Sequence, residues 1–337
     1  LLGSNSEDKM GMDRLAVGID LGGTAIKAGL ISEVNGLQAE TSLATDAHEG
    51  PERVLDRIAM LIQKLTPSTG TLAGVGIGTP GAINWERTTV SHPPNLPGWD
   101  VINVGEALRK RLPSAPFTIL ENDANVAGLG SAHYGIGKSF NSFIMITLGT
   151  GVGGAIIYQN KIFRGATGAA GEIGHMSIDY NGPFARSGVA GAIEAYLGQH
   201  FLSRHARYSL MNKRDSIMHN MADDDLHGIT PKMLYDAAEK GDEGAIEVLA
   251  WAGHKLGCVL GSAVNLLDIR KFVIGGGLSA AGDYILSSAR STIRQYVTPA
   301  LQDGLQIVQE TRGNEVGMLG AGHLVFQYLD ENDLPSD

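Results

Sequence analysis

One pattern, a glycine turn between two apolar runs, occurs twice in this chain. "DLGGTAIKAGLI" runs from Asp20 to Ile31 and "TLGTGVGGAII" from Thr147 to Ile157. Each is an apolar strand, a glycine turn and a second apolar strand, the pattern of a β-hairpin. Setting Leu148 on Leu21 places the copies 127 residues apart. Two such hairpins, each opening an α/β segment, imply an internally duplicated protein; the alternative is that glycine hairpins recur by chance. A tight turn needs only its glycines, yet the first copy also carries Asp20, Thr24 and Lys27. Backbone amides in a glycine turn can reach phosphate oxygens because no Cβ stands in the way. Thr24 and Thr150 each add a hydroxyl donor, and Asp20 offers the oxygen ligand that a hydrated Mg²⁺ accepts.

The surrounding pattern alternates strands and helices. "RLAVGID", "IKAGLI" and "GLQAETSLA" predict a three-stranded meander. "PERVLDRIAMLIQKL" sets Val54, Ile58, Leu61, Ile62 and Leu65 on one helical face behind Pro51. "LAGVGIG" predicts a buried strand, "VGEALRKRL" a short amphipathic helix, "PFTILEND" a strand ending on acids, and Ala124–Tyr134 a helix. After the second hairpin the sequence predicts a helix over "AGAIEAYLGQHFL", an irregular polar stretch from Ser203 to Gly228, and a long helix from Glu243 to Leu267. Strand "KFVIGGG", helix "SAAGDYILSSARSTIRQYV", strand "LQIVQE" and a last helix from Met318 follow. Domains are expected at 13–123, completed by helix 318–330, and at 124–317, sharing a central cleft. The polar stretch 1–12 reads as a disordered tail or an expression scar.

Composition narrows the class. At 337 residues two domains are the natural expectation. No apolar run approaches the roughly 20 residues of a membrane span. A net charge of −10 argues against a nucleic-acid surface. The single Cys258 permits no internal disulfide, and a reducing cytoplasm is expected. Glycine is the outlier at 46 residues, which points to backbone approached closely by ligands or by other backbone.

Two familiar patterns are set aside. "GTGVGG" matches a dinucleotide fingerprint in letters, but a strand-like run follows where that fold needs a helix. "AHYGIGKS" lacks the first glycine of a P-loop and has the wrong element order. "GGG" at Gly275–Gly277 ends a strand and opens a helix, which suits a nucleotide or simple tight packing. In "ENDAN", Asp123 either caps a helix or accepts a proton from a substrate hydroxyl. Glu172 and His175 in "GEIGH" either read vicinal hydroxyls or lie solvated on the surface.

Taken together, "DLGGTAIKAGL", "GIGTPGAIN", "NLPGW", "ENDANVAGLG", "TLGTGVGGAII", "GEIGH", "GAIEAYLG", "NLLDIRKFVIGGGLS" and "GMLGAG" resemble, in order, the ROK family of repressors, open reading frames and kinases. The resemblance implies an α/β actin-like/hexokinase (ribonuclease H-like) duplicated fold and ATP-dependent phosphorylation of a hexose 6-hydroxyl, leaning to glucose. The alternatives it leaves are an N-acetylmannosamine, N-acetylglucosamine or fructose kinase, a polyphosphate-using glucokinase, and a sugar-sensing regulator. Because the motifs begin at Asp20, no room is expected for the DNA-binding winged helix of the family's repressors. By resemblance Asp123 is the catalytic base, and Gly81, Asn95, Asn122, Glu172, His175 and Glu194 contact sugar. Asp20, Gly22, Gly23, Thr24, Lys27, Thr150 and Gly151 serve phosphate, and Gly275, Gly276, Gly277 and Leu278 serve adenosine. ATP and Mg²⁺ are the implied cofactors, with Asp20 reaching the metal through water, and a homodimer is the family's habit.

One departure is large. The family pattern C-x-C-G-x-x-G-C-x-E holds a structural zinc, whereas this chain reads "ARSGVAGAIE" from Ala185 to Glu194. Ala185, Ser187 and Ala192 replace three thiolates, and His175 alone cannot complete a four-coordinate site. No zinc is expected, the loop must be ordered by packing and hydrogen bonds, and the sugar role of His175 falls into question.

Overall fold

The computed structural model describes residues 13–68, 71–113 and 117–332. The tail expected over 1–12 lies outside them. The chain divides into two compact units. One takes the described residues through Val126 and those from Gly317 on; the other is Ala127–Val316.

The first unit begins with β1 (Leu15–Leu21), β2 (Ala25–Ser32) and β3 (Gly36–Ala44), the antiparallel meander that the sequence predicts. Helix α1 (Pro51–Leu65), β4 (Gly74–Thr79), the short strands β5 (Ala82–Ile83), β6 (Thr89–Ser91) and β7 (Val101–Asn103), α2 (Val104–Arg111) and β8 (Thr118–Asn122) follow. The main sheet has the order β3-β2-β1-β4-β8, with β1, β4 and β8 parallel. The small β5-β6-β7 sheet was not foreseen, because strands of two or three residues are too short to show periodicity. Helix α3 (Asp123–Tyr134) carries the chain into the second unit.

There β9 (Phe143–Leu148), β10 (Val152–Tyr158) and β11 (Lys161–Ile162) repeat the meander. Helices α4 (Glu194–Leu197), α5 (Gln199–Leu210), α6 (Met218–Met221), α7 (Pro231–Ala238) and α8 (Glu243–Leu267) precede β12 (Lys271–Gly275), α9 (Asp283–Tyr296) and β13 (Gln306–Gln309). The sheet order is β11-β10-β9-β12-β13, again with an antiparallel meander and three parallel strands. Strands β1 and β9 end at Leu21 and Leu148, and β2 and β10 begin at Ala25 and Val152. The 127-residue offset is kept at both ends of the turn, so duplication, not chance, accounts for the repeat. The two units thus repeat one α/β sheet topology, the duplicated arrangement that the resemblance implies. Helix α10 (Glu315–Asn332) returns the chain to the first unit.

The glycine excess is largely packing. In β4 glycines alternate with β-branched residues. Val75 and Ile77 join the core with Val54, Ile58, Leu61 and Ile62 of α1, each buried aliphatic side chain stabilising the unit by roughly 1.5–3 kcal/mol. On the opposite face a Cβ at Gly76 would overlap the Ala321 carbonyl of α10, and one at Gly18 the Met318 carbonyl. The helix thus lies directly on the sheet backbone. In the second unit Gly253, Gly257 and Gly261, every fourth residue of α8, admit α9 in the same way: a Cβ at Gly257 would stand 2.6 Å from Thr292 Cβ.

Several expected boundaries move. The helix predicted over Ala190–Leu202 starts only at Glu194, because residues 190–192 bridge in extended form to Phe184 and Ser177 and Gly191 turns at φ +64°. It breaks at Gly198 and resumes as α5, whose buried Leu202, Ala206 and Leu210 reach into the stretch expected to be irregular. Helix α7 lies where the sequence pattern predicts no element, and it is started by Thr230, whose hydroxyl oxygen accepts the Met233 N–H, with Pro231 next in line. The helix predicted from Ser279 is interrupted at Gly282, φ +53°, and the last helix begins three residues early, at Glu315.

Candidate active site

In the first unit the hairpin turn is held by residues outside it. Gly22 N–H donates to the Ala25 carbonyl at 3.0 Å. Thr45, fully buried after β3, donates its hydroxyl to the Gly22 carbonyl at 2.6 Å and its N–H to the Thr24 carbonyl at 2.9 Å. Nothing in the sequence near the motif marked Thr45. Thr24 is left exposed, and Gly23 lies against Asn95, which takes φ +65°; a Cβ at Gly23 would stand 2.9 Å from Asn95 Cβ. The phosphate-loop and sugar-contact candidates are therefore neighbours here. Gly81 turns at φ +102° with Pro93 so close that a Cβ would stand 2.8 Å from its Cα.

Asp20, just before the last residue of β1, stands directly opposite Lys27 on β2. Burial pushes its carboxyl up to about 6, the negative charge of Asp123 adds to the rise, and Lys27 pulls the other way. The two carboxylates are thus brought into electrostatic reach of one another. Gly317, in the first turn of α10, lies against the same group: a Cβ there would stand 3.2 Å from Asp20 Cγ.

The turn from β8 into α3 is built on Glu121, whose side chain is wholly buried. Its carboxylate accepts from Arg87 Nε at 3.1 Å, Asn125 Nδ2 at 3.0 Å and the Asn122 N–H at 2.9 Å. A buried carboxylate is tolerated only when so satisfied. Asn122, and not Asp123 alone, caps the helix: its Oδ1 accepts the Ala124 N–H at 2.9 Å. Asp123 takes the first helical position with its side chain exposed and Oδ1 2.8 Å from the same N–H. The capping alternative for "ENDAN" thus falls mainly on Asn122, which leaves Asp123 presented to solvent on a rigid frame.

In the second unit three motifs meet at Val152. Its N–H donates to Glu194 Oε2 at 3.2 Å, and the same carboxylate packs on Gly151, where a Cβ would overlap it. Gly174 of "GEIGH" lies on the Val152 carbonyl, also too closely for a Cβ. The Gln199 N–H, opening α5, donates to the Gly149 carbonyl at 3.0 Å. Gly276, φ +82°, lies on the Leu148 backbone, so the glycine triplet and the second hairpin turn are neighbours as well. Gly277 faces open space. Leu278 is buried in the core, which leaves only its backbone to meet a ligand.

Glu172 and His175 stand side by side, with Nε2 3.7 Å from Oε2, and Ser187 Oγ lies 3.2 Å from His175 Nδ1. At the family's cysteine positions Ala185 and Ala192 are buried apolar groups. Among the described residues no three His, Cys, Asp or Glu side chains cluster closely enough to share a metal ion. The donor set does not fit a thiolate zinc site. The loop is held by its own backbone: Ala185 N–H donates to the Val189 carbonyl at 3.0 Å and Gly191 N–H to the Pro183 carbonyl at 2.8 Å.

Comparison with known proteins extends the likeness along the chain. Glucokinase of Halalkalibacterium halodurans is 33% identical over 323 residues, covering 94% of this chain and 96% of that protein. Glucokinase of Thermotoga maritima is 31% identical over 314 residues, covering 93% and 98%. The crystal structure of a ROK family glucokinase from Streptomyces griseus, in complex with glucose and AMPPNP, is 30% identical, covers 93% of this chain and 99% of that one, and superposes with a TM-score of 0.80. The ROK family model matches residues 16–328, a span that takes in both glycine hairpins, the Glu121–Asn125 strand end and the Glu172–His175 turn; the chain belongs to the ROK family.

Proposed function

We propose that this chain is an ATP-dependent hexose kinase acting on glucose. The observation that carries the reading is Asp123: an exposed carboxylate on the first turn of α3, held by the buried Glu121–Arg87–Asn125 network and within electrostatic reach of Asp20 beside a phosphate-type glycine turn. Two glucokinases at 31% and 33% identity over most of the chain support glucose as the sugar.

In this reading Asp123 accepts the proton of the sugar 6-hydroxyl as that oxygen bonds to the γ-phosphorus. The bond from γ-phosphorus to its bridging oxygen breaks, and ADP leaves with the electron pair. Phosphoryl transfer asks the protein mainly for alignment and charge stabilisation. The amides and hydroxyls of Gly22–Thr24 and Thr150–Gly151 serve phosphate oxygens, and Lys27 adds a positive charge. Magnesium, when bound with ATP, neutralises the phosphate charge. Asp20 fits it as a hard oxygen donor whose ionised form gains from a nearby cation. Glu172, His175, Asn95 and Glu194 orient sugar hydroxyls. The reading carries with it the homodimer and the cytoplasmic setting implied by family resemblance. No helix among the described residues is long and apolar enough to cross a membrane.

A coupled ADP-release assay over glucose, mannose, fructose, N-acetylglucosamine and N-acetylmannosamine, with ATP or polyphosphate as donor, tests it. Glucose with ATP should give the highest kcat/KM. Turnover on no sugar would leave a sensing role and sink the kinase reading.

A further inference from the structure

We propose that Ser187 is a positioning residue for His175: its hydroxyl fixes the imidazole as the Nε2–H tautomer, and the ring and Glu172 then form a donor–acceptor clamp for one sugar hydroxyl. The clamp's ligand rests on the sugar-kinase reading; the tautomer does not.

The argument starts from the two ring nitrogens. Nδ1 meets Ser187 Oγ at 3.2 Å, and Nε2 faces Glu172 Oε2 at 3.7 Å. An ionised carboxylate only accepts, whereas a hydroxyl donates or accepts. With the proton on Nδ1, the Nε2 lone pair would face an anion. With the proton on Nε2, that N–H points at the anion and Ser187 donates to Nδ1, so both contacts are favourable. At 3.7 Å the Nε2–Oε2 separation is too long for a direct hydrogen bond. A hydroxyl group suits such a gap because it accepts from Nε2–H and donates to the carboxylate at once. His175 and Glu172 are both partly exposed, so such a hydroxyl can arrive from solvent.

The serine is held for this task. It sits at the tip of a hairpin closed by the Phe184–Ala190 bridge and by the Ala185 N–H to Val189 carbonyl bond. Gly188 N–H returns to the Ala185 carbonyl at 3.0 Å, with Gly188 itself at φ +83°. Buried Ala185 pins the strand leading to the tip. On the other side, Gly174 sits on the Val152 backbone and fixes the turn that carries His175. The hydroxyl thus orders the ring by a hydrogen bond from one of the positions where the family pattern has cysteine.

The test reads the ring directly. In the full-length protein with ¹⁵N-labelled histidine, long-range ¹H–¹⁵N correlation identifies each ring's tautomer, and His175→Gln assigns the His175 signals. The wild type should show the Nε2–H form without substrate. Ser187→Ala should move it toward the mixture of free imidazole, and Ser187→Thr should restore it, with circular dichroism confirming all three folds. In kinetics Ser187→Ala should raise KM for glucose about three- to tenfold, the worth of one hydrogen bond, and act on KM more than on kcat; Ser187→Thr should recover it. An Nδ1–H tautomer in the wild type, or spectra and KM unmoved by Ser187→Ala, would overturn the proposal. The expected spectra in a protein that phosphorylates no sugar would overturn the kinase reading and the clamp's ligand while upholding the tautomer assignment.

Discussion

Replacing Asp20 by Asn is expected to stabilise the protein at neutral pH while sharply slowing phosphoryl transfer. Burial, reinforced by the Asp123 charge and opposed by Lys27, lifts the Asp20 carboxyl from 3.8 to about 6. That gap of about 2 pH units, at about 1.4 kcal/mol each, makes the ionised carboxylate roughly 3 kcal/mol less welcome in the fold than in the unfolded chain. The sign follows from proton counting. Between pH 3.8 and about 6 the folded state keeps a proton that the unfolded state has lost, so this group's contribution to stability falls as pH rises and levels off above about 6. The first turn of α10 at Gly317 lies against the group, where the positive end of the helix dipole favours an anion, which makes roughly 3 kcal/mol an upper bound. Asparagine keeps the shape without the charge. Urea unfolding in a Trp251→Phe background, where Trp85 and Trp99 report on the unit that holds Asp20, should show Asp20→Asn more stable by roughly 1–3 kcal/mol at pH 7.5. The gain should shrink as pH falls below 6, and kcat/KM should drop about 10²-fold or more. A variant less stable than wild type at pH 7.5, or a difference that does not change between pH 5 and 8, would refute the electrostatic argument.

Asp123→Asn should keep glucose binding within a fewfold and lower kcat by about 10²–10⁴-fold, measured by calorimetry and by the coupled assay. Gly276→Ala asks an L-residue to hold φ +82° with its Cβ overlapping the Leu148 carbonyl; thermal melting should show a loss of about 2 kcal/mol or more, with a raised KM for ATP. Purified protein should contain well under one zinc per chain by elemental analysis. A zinc-selective chelator should leave its melting temperature unchanged, since Ala185, Ser187 and Ala192 offer no thiolate. Stoichiometric zinc would show that the loop does not follow the family's path.

Legibility in the sequence tracked how local the controlling physics is. Helix α1 was readable because its apolar spacing and Pro51 lie within one window; α8 was readable at both ends for the same reason. The helix expected over Ala190–Leu202 failed because Gly191 answers to the Asp179 carbonyl, a neighbour that only the tertiary fold brings near. The same holds within the site. Asp20, Asp123 and the glycines stood out as residue types in known patterns. Thr45, Arg87 and Ser187 did not, since each acts on a motif 12 to 34 positions or so away through hydrogen bonds that only the tertiary fold forms. Ser187 had one signal, a serine in a place where the family carries cysteine, and its meaning emerged only from the 3.2 Å contact with His175.

The two hairpins show what duplication retained and what it gave up. Their backbones match at Leu21 and Leu148 and at Ala25 and Val152, so the turn length was kept. Their side chains do not match. At the common offset Asp20 corresponds to Thr147, Thr24 to Gly151 and Lys27 to Gly154. The first copy therefore carries its charges within the hairpin itself, the acid and the lysine facing each other across β1 and β2. The second has neither at those positions, and a side chain at Gly154 is barred because a Cβ would stand 2.5 Å from the Gly171 carbonyl. Its carboxylate arrives instead from α4: Glu194 folds onto Gly151 and accepts the Val152 N–H, a contact that glycine at position 151 makes possible. Freed of its own charges, the second turn makes room for the Gly171–His175 segment on β10 and for the glycine triplet on Leu148. One backbone thus supports two arrangements: a hairpin whose own strands carry the acid and the lysine, and a hairpin whose glycines let other segments bring their groups to it.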